Sequence, residues 1–162
     1  MHIIITRPIE DSLEIISKFK ILGHKVTHLP LLNINKISHE IINFKNYKAI
    51  IFTSTNAIKF LDTKKIPKDI LCFCVGEATE RKARSVGFLN VISAGGNVDA
   101  LKELIFRTHE KNDGRLIYFS SEFITIDLDK ILIASGYKVD RIINYSSTAI
   151  EYINENIVEL IK

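Results

Sequence analysis

Residues 49–62 read AIIFTSTNAIKFLD, an apolar run that stops at small hydroxyl residues and continues as an amphipathic stretch. This order predicts a strand over 49–53 and a helix over 55–62, because a strand covered on both faces is continuously apolar. The same alternation recurs along the rest of the chain. Further strands are predicted at 2–6, 25–29, 70–75, 90–93, 116–119 and 138–144, and further helices near 9–21, 77–86, 98–109, 122–135 and 149–161. Strand-then-helix repetition of this kind predicts an α/β fold with a doubly wound parallel sheet.

One region interrupts the alternation, since the first half of residues 30–47 has neither strand nor helix period. We therefore expect a linker at 33–47. Before it, residues 1–32 hold only strand, helix and strand, which cannot cover both faces of a sheet. After it, residues 48–146 hold five strands with their helices, a complete flavodoxin-like domain, and residues 147–162 form a return segment with a helix. The alternative is a single seven-stranded sheet.

The composition is that of an ordinary globular protein, with 46% hydrophobic and 25% charged residues among 162. Its formal charge of +3 is spread along the chain, which does not indicate nucleic-acid binding and mildly favours a polyanionic small molecule. Cys72 and Cys74 are interpreted as small core residues in a reducing compartment. The histidines have no ligand spacing, so we expect no metal site. No run is long enough to span a membrane, and we expect a cytoplasmic protein.

Three predicted strand ends carry polar residues: Thr6-Arg7-Pro8, Thr53-Ser54-Thr55-Asn56 and Gly76-Glu77-Ala78-Thr79. In an open parallel sheet, ligands bind beyond the carboxyl ends of the strands, where free N–H groups at helix starts accept anions. Taken singly, each segment is better explained by ordinary helix capping. The chain has no glycine-rich nucleotide loop and no nucleophile elbow.

The order of several short motifs resembles the uroporphyrinogen-III synthase family. The motifs are Ile4-Ile5-Thr6-Arg7-Pro8, Leu22-Gly23-His24-Lys25-Val26, Leu29-Pro30-Leu31, Ile51-Phe52-Thr53-Ser54-Thr55-Asn56-Ala57-Ile58, Val75-Gly76-Glu77-Ala78-Thr79, Ser85-Val86-Gly87-Phe88, Arg115-Leu116-Ile117-Tyr118-Phe119, Leu132 to Gly136 leading to Val139, and Ile143-Asn144-Tyr145-Ser146-Ser147. The resemblance covers nearly all of residues 3–147.

The resemblance implies two flavodoxin-like domains, one complete in this chain and one partial. The first domain is discontinuous: it begins in 1–32 and resumes after 147. It also implies a lyase that cyclises hydroxymethylbilane, inverts the terminal ring and loses water, as a step of haem biosynthesis. The family's active site lies between the domains, uses no cofactor, and belongs to proteins that are usually monomeric.

The resemblance also gives roles to individual residues. Tyr145 matches a family tyrosine thought to assist departure of the hydroxyl, although packing at a hinge explains it equally well. Thr79 and Ser54 match substrate-contacting positions. Together with the other strand-end residues, the candidate substrate-binding set is Arg7, Thr53, Ser54, Asn56, Gly76 and Thr79.

Two departures from the family pattern stand out. Ser120 and Ser121 follow the 116–119 strand, where the family usually has an arginine–glycine pair. The chain also stops at Lys162, before the first domain would be completed, so we expect a poorly active fragment that self-associates. A naturally short form and a second chain supplying the missing strands remain open. The alternative function is a non-catalytic flavodoxin-like α/β ligand-binding module, for example a flavin binder.

Overall fold

A computed structural model describes residues 1–151. It divides into two compact units, one made of Met1–Asn35 with Ser147–Lys162 and the other of Lys36–Ser146. The helix predicted at 149–161 lies almost entirely outside the described residues.

The first unit begins with a parallel strand pair. Strands β1 (His2–Ile5) and β2 (Lys25–His28) are joined by a short 3-10 turn and helix α1 (Leu13–Ile21), with His2 opposite Lys25 and Ile5 opposite His28. Gly23 follows α1 with a φ of +78°, a conformation that favours glycine at a helix end. These elements were expected from the apolar pattern.

Strand β3 (Leu32–Lys36) was not predicted from the sequence. Most of its residues are exposed, and its partner is β8, about a hundred positions later in the chain. The backbone N–H of Ile150 donates to the carbonyl of Leu31 at 2.9 Å. The expected irregular linker therefore contains a regular strand, stabilised by pairing rather than by burial.

The second unit alternates strands and helices throughout. In chain order it contains β4 (Tyr47–Phe52), α2 (Thr55–Lys59), β5 (Leu71–Cys74), α3 (Glu77–Ser85), β6 (Val91–Ser93), α4 (Val98–Thr108), β7 (Arg115–Ser121), α5 (Leu128–Ala134) and the beginning of β8 (Val139–Ala149). Strand β4 is fully buried from Ala49 to Phe52, as its continuous apolar run predicts.

The sheet of the second unit has the order β8-β7-β4-β5-β6, and neighbouring strands in this order are parallel throughout. The prediction of a doubly wound parallel α/β fold is therefore confirmed. When the five strands β4 to β8 are numbered 1 to 5 in chain order, their order in the sheet is 3-2-1-4-5. A flavodoxin sheet has the order 2-1-3-4-5. The apolar pattern alone does not distinguish these orders.

The sheet is packed on both faces. One face carries Ile51, Phe73 and Tyr118 against α4 and α5. On the other, Phe52 and Phe119 lie with ring centroids 6.1 Å apart. Cys72 and Cys74 are buried free thiols, which confirms their interpretation as core residues.

Candidate active site

The order in which strands are added to the sheet reverses between β4 and β7. The chain moves outward from β4 through β5 and β6, then returns to place β7 on the other side of β4 and β8 beyond it. In open α/β sheets, ligands usually bind beyond the carboxyl ends of the strands at such a point. The candidate site is built around Thr53, after β4, and the end of β7.

Thr53 is joined to β7 by a side-chain hydrogen bond. Its Oγ1 lies 3.1 Å from the hydroxyl oxygen of Tyr118, and either hydroxyl can donate. Tyr118 pairs with Ile51 in register, so its ring lies in the core while its hydroxyl reaches the strand end. Burial raises the pKa of the Tyr118 phenol, and this outweighs the lowering by its bond to Thr53 and by the charge of Arg141. The phenol is therefore protonated at neutral pH.

Sequence reasoning missed Tyr118 as a functional candidate, since an aromatic within an apolar strand is most simply core. The ring is core, with 2% of the residue exposed. Only the pairing of two strands remote in sequence reveals that the hydroxyl meets Thr53. The signal available beforehand was the position of Tyr118 near the end of its strand.

Tyr145 lies on β8, next to the end of β7. It pairs with Ser121 after an irregularity in the register between Ser120 and Ser121, and its carbonyl accepts a hydrogen bond from the N–H of Glu122 at 2.9 Å. A bulge of this kind changes the direction in which the following side chains point. Tyr145 is largely buried and close enough to Tyr118 for its charge to contribute to the raised pKa of that phenol, behind the larger effect of burial.

Arg141, a second residue that sequence reasoning missed, holds the end of β7. Its Nε donates to Oγ of Ser120 at 2.8 Å, and its Nη2 donates to the carbonyls of Ser121 at 2.9 Å and Glu122 at 3.2 Å. Ser120 and Ser121 stand where the family resemblance led us to expect an arginine–glycine pair. An arginine from the neighbouring strand occupies the place beside them.

Ser54 and Asn56 take part in helix capping. Oγ of Ser54 accepts a hydrogen bond from the N–H of Asn56 at 3.2 Å, and its carbonyl accepts from Ala57 at 3.3 Å. The helix that follows has only five residues. Capping was the simpler interpretation of this segment, and the capping bond is present.

Gly76 precedes α3 and lies against the next loop. A Cβ at this position would meet Cα of Gly96 at 3.2 Å, so a close approach of two backbones explains the glycine. Thr79 is buried, with 4% exposed, and its N–H donates to the carbonyl of Gly76 at 3.1 Å. Among the described residues no side chain caps the start of α3. The N–H groups of the exposed residues Glu77 and Ala78 are thus better placed for a ligand than the Thr79 side chain.

The predicted residues fall into separate groups. Thr53, Ser54 and Asn56 follow β4, and Gly76 and Thr79 follow β5. Because β4 and β5 are parallel neighbours, these five residues lie at the same end of the strands, the carboxyl end. Tyr145 is two strands from β4, on β8. Arg7 belongs to the first unit, where its carbonyl lies 2.8 Å from Nε2 of His28 and its side chain is exposed.

The described residues contain no group of His, Cys, Asp or Glu side chains arranged to hold a metal ion. Their helices are also too short or too polar to cross a membrane.

The strand order and the helices on both faces of the sheet define an α/β protein of the doubly wound, parallel-sheet class. The family model described as uroporphyrinogen-III synthase HemD matches residues 14–162. The chain therefore belongs to the uroporphyrinogen-III synthase family, whose members are lyases of porphyrin biosynthesis acting on hydroxymethylbilane. This confirms the resemblance noted from the sequence.

Solved structures of the same family show the same fold. Uroporphyrinogen-III synthetase from Helicobacter pylori superposes with a TM-score of 0.63 at 20% identity, over 99% of this chain and 67% of that one. A mutant uroporphyrinogen III synthase from the extremely thermophilic bacterium Thermus thermophilus gives a TM-score of 0.57 at 12% identity, over 93% and 64%. The chain thus spans about two thirds of the length of these structures. A sequence search of curated proteins finds no match.

Proposed function

We propose that this protein cyclises hydroxymethylbilane to uroporphyrinogen III, with inversion of the terminal pyrrole ring and loss of water. The observation that carries the proposal is the Thr53–Tyr118 hydrogen bond at the reversal point of the sheet, in a chain that the family model matches over residues 14–162. The substrate is a flexible chain with eight carboxylate arms. Holding this substrate in a curled shape requires many weak hydrogen-bond donors rather than a single strong acid or base.

The residues at the sheet edge suit that task. The hydroxyls of Thr53 and Tyr118 meet near the ends of neighbouring strands, Tyr145 lies on β8 opposite the end of β7, and α3 adds backbone N–H groups beside Gly76. Donors fixed before the substrate arrives lower the entropy cost of holding it in a reactive shape. In this proposal the carboxylate arms bind at Thr53, Ser54, Asn56, Gly76 and the start of α3.

Tyr145 is the proposed catalytic residue. The Tyr145 hydroxyl donates a hydrogen bond to the terminal hydroxyl of the substrate and assists its departure; the hydroxide that leaves and the N–H proton lost by the same pyrrole ring together make water as the azafulvene forms. The backbone bond from Glu122 to the Tyr145 carbonyl at 2.9 Å fixes the strand position of this residue. The substituted α-carbon of the terminal ring then attacks the azafulvene to form a spiro intermediate. The bond from that carbon to the adjacent methylene breaks and re-forms at the other α-carbon, which loses a proton, so that the ring is inverted as the macrocycle closes. The remaining requirement is geometric.

The proposal includes a cytoplasmic location, where the free thiols Cys72 and Cys74 remain reduced. It also includes self-association at high concentration. In the first unit, Ile21 is 84% exposed and Leu22 is 67% exposed, which favours such association.

The test is isomer analysis. The protein is incubated with freshly prepared hydroxymethylbilane, and the products are oxidised and separated into type I and type III uroporphyrin. We expect type III in excess. Type I alone, which is the product of spontaneous ring closure, would refute the proposal.

A further inference from the structure

Arg141 has a fixed guanidinium at the candidate site. Three hydrogen bonds, to Oγ of Ser120 and to the carbonyls of Ser121 and Glu122, engage its Nε and Nη2. All three acceptors lie at or just after the carboxyl end of β7, the strand next to β4 in the sheet. The side chain is held from one side in a single orientation.

Part of the fork is still available. An arginine has five N–H donors, and the three bonds leave both donors of Nη1. Within residues 1–151 these donors have no hydrogen-bond acceptor, and no carboxylate forms an ion pair with Arg141. The residue is only partly buried, and its bond to Glu122 is exposed to solvent. The guanidinium is therefore not fully buried, and among residues 1–151 it has no ion-pair partner.

We propose that Arg141 binds a carboxylate arm of the substrate through Nη1, as the cationic anchor of the site that contains Thr53 and Tyr118. This inference rests on the proposed function, because it names a further recognition residue of the same site. A planar guanidinium matches the geometry of a carboxylate. Because Ser120, Ser121 and Glu122 already fix the fork, ligand binding has little side-chain entropy left to remove.

Arg141 also links recognition to Tyr145. Tyr145 pairs with Ser121 and accepts from the N–H of Glu122 at 2.9 Å, and both of those residues accept from Arg141. A carboxylate bound at Nη1 thus lies on the same fixed frame as the proposed catalytic phenol.

A stable probe for this interaction is uroporphyrin III, the oxidised form of the product, which is fluorescent and carries eight carboxylates. Its dissociation constant is measured by fluorescence titration for the unsubstituted protein, Arg141→Gln, Arg141→Lys and Lys138→Gln. Lys138 is exposed and lies just before β8, at the amino-terminal end of the strand that carries Arg141. Lys138→Gln therefore makes the same change in net charge away from the site. Coproporphyrin III, which retains four of the eight carboxylates, is titrated in parallel.

We expect Arg141→Gln to weaken uroporphyrin binding by about tenfold or more, and to reduce its dependence on salt concentration. Lys138→Gln is expected to change the affinity less than about twofold, since a distant exposed charge is largely screened. Arg141→Lys, which retains the charge and loses the fork, is expected to fall between them. Coproporphyrin is expected to bind more weakly and to lose less in Arg141→Gln.

Equal affinities of Arg141→Gln and Lys138→Gln overturn the assignment of Arg141 and leave the proposed function standing, because type III formation is assayed independently. Should Arg141→Gln fail to fold, as judged by circular dichroism, Arg141→Lys decides: unchanged affinity in that variant overturns the assignment. Failure of the unsubstituted protein to bind uroporphyrin also overturns it.

Discussion

The hydroxyl of Tyr118 and Oγ1 of Thr53 lie 3.1 Å apart and join β7 to the residue after β4, at the point where the strand order of the sheet reverses. The two residues are separated by 65 positions in the chain. Because the Tyr118 ring packs in the hydrophobic core, this bond fixes the position of its hydroxyl at the strand end. The pair is therefore both a structural tie and the central element of the proposed site.

Tyr118→Phe removes the hydroxyl and retains the ring. We expect a stability loss of about 1 kcal/mol, the usual net value of one hydrogen bond, and a decrease of about tenfold in the initial rate of type III formation. Urea denaturation and the isomer assay measure these two quantities.

Tyr137→Phe is the matched control for Tyr118→Phe. The Tyr137 hydroxyl donates to the carbonyl of His109 at 3.0 Å. Tyr137 precedes β8 and thus lies at the amino-terminal end of the strands, opposite the proposed site. It is expected to lose similar stability and to retain the rate. Equal rates in the two variants would contradict the role given to Tyr118.

Asn144→Ala deletes a buried amide on β8. Asn144 is fully buried, and its Nδ2 donates to the carbonyl of Ala57 at 2.7 Å. Without it, a buried carbonyl on α2 loses its donor, and we expect destabilisation of about 1–3 kcal/mol by urea denaturation. The control is Asn90→Ala, whose exposed amide donates to the carbonyl of Asp69; it should cost no more than about 0.5 kcal/mol. If the two variants lose similar free energies of unfolding, the buried hydrogen bond to Ala57 contributes no more to stability than the exposed one to Asp69.

Gly76→Ala tests the close approach of the loops after β5 and β6. The added Cβ would lie 3.2 Å from Cα of Gly96, a backbone atom, so one loop has to shift by a few tenths of an ångström. We expect a stability loss of about 1 kcal/mol and weaker uroporphyrin binding, because the shift displaces the N–H groups at the start of α3.

Gly95→Ala provides the comparison for Gly76→Ala. Its Cβ would meet Cβ of Ala100 at 3.9 Å, an ordinary contact. We expect stability that is unchanged or slightly higher, since alanine restricts the unfolded chain, and unchanged binding. A Gly76→Ala protein indistinguishable from Gly95→Ala would show that the loops adapt without cost.

The fold class was predictable because most strands are buried on both faces. Strand β4 shows this directly, since its apolar run at 49–52 has no exposed residue. Strand β3 was missed because the sequence Leu32-Asn33-Ile34-Asn35-Lys36 is mostly exposed and is stabilised by a remote partner. Helix α5 begins at Leu128, six residues after the predicted start at 122, because the chain after β7 first continues its hydrogen bonding to β8 at Glu122.

The candidate site was predictable only where chemistry is local. Capping at Ser54 follows from a hydroxyl residue before a helix. Tyr118 and Arg141 escaped notice because each lies inside a strand and acts through a partner on another strand. The register between β7 and β8 contains a bulge, and a one-residue shift changes the face on which a side chain lies. No local pattern encodes that shift.

The buried thiol of Cys74 makes stability depend on pH in the alkaline range. Burial raises its pKa to about 12, and the neighbouring charge of Glu80 contributes in the same direction. The unfolded chain releases the thiol proton at a lower pH than the folded protein does. The stability contribution of this thiol is therefore complete below pH 9 and declines as the pH rises from about 9 towards 12, by at most about 1.4 kcal/mol per pH unit.

Urea denaturation of the unsubstituted protein and of Cys74→Ala at pH 7, 8, 9 and 10 tests this prediction. Lysine and tyrosine titrations occur in both proteins and cancel in the difference between their free energies of unfolding. That difference is expected to be constant from about pH 7 to about pH 8, and to move in favour of Cys74→Ala by about 1 kcal/mol at about pH 10. A difference that stays constant through the whole series would mean that the thiol ionises equally easily in both states, and hence that water reaches it between β5 and its neighbours.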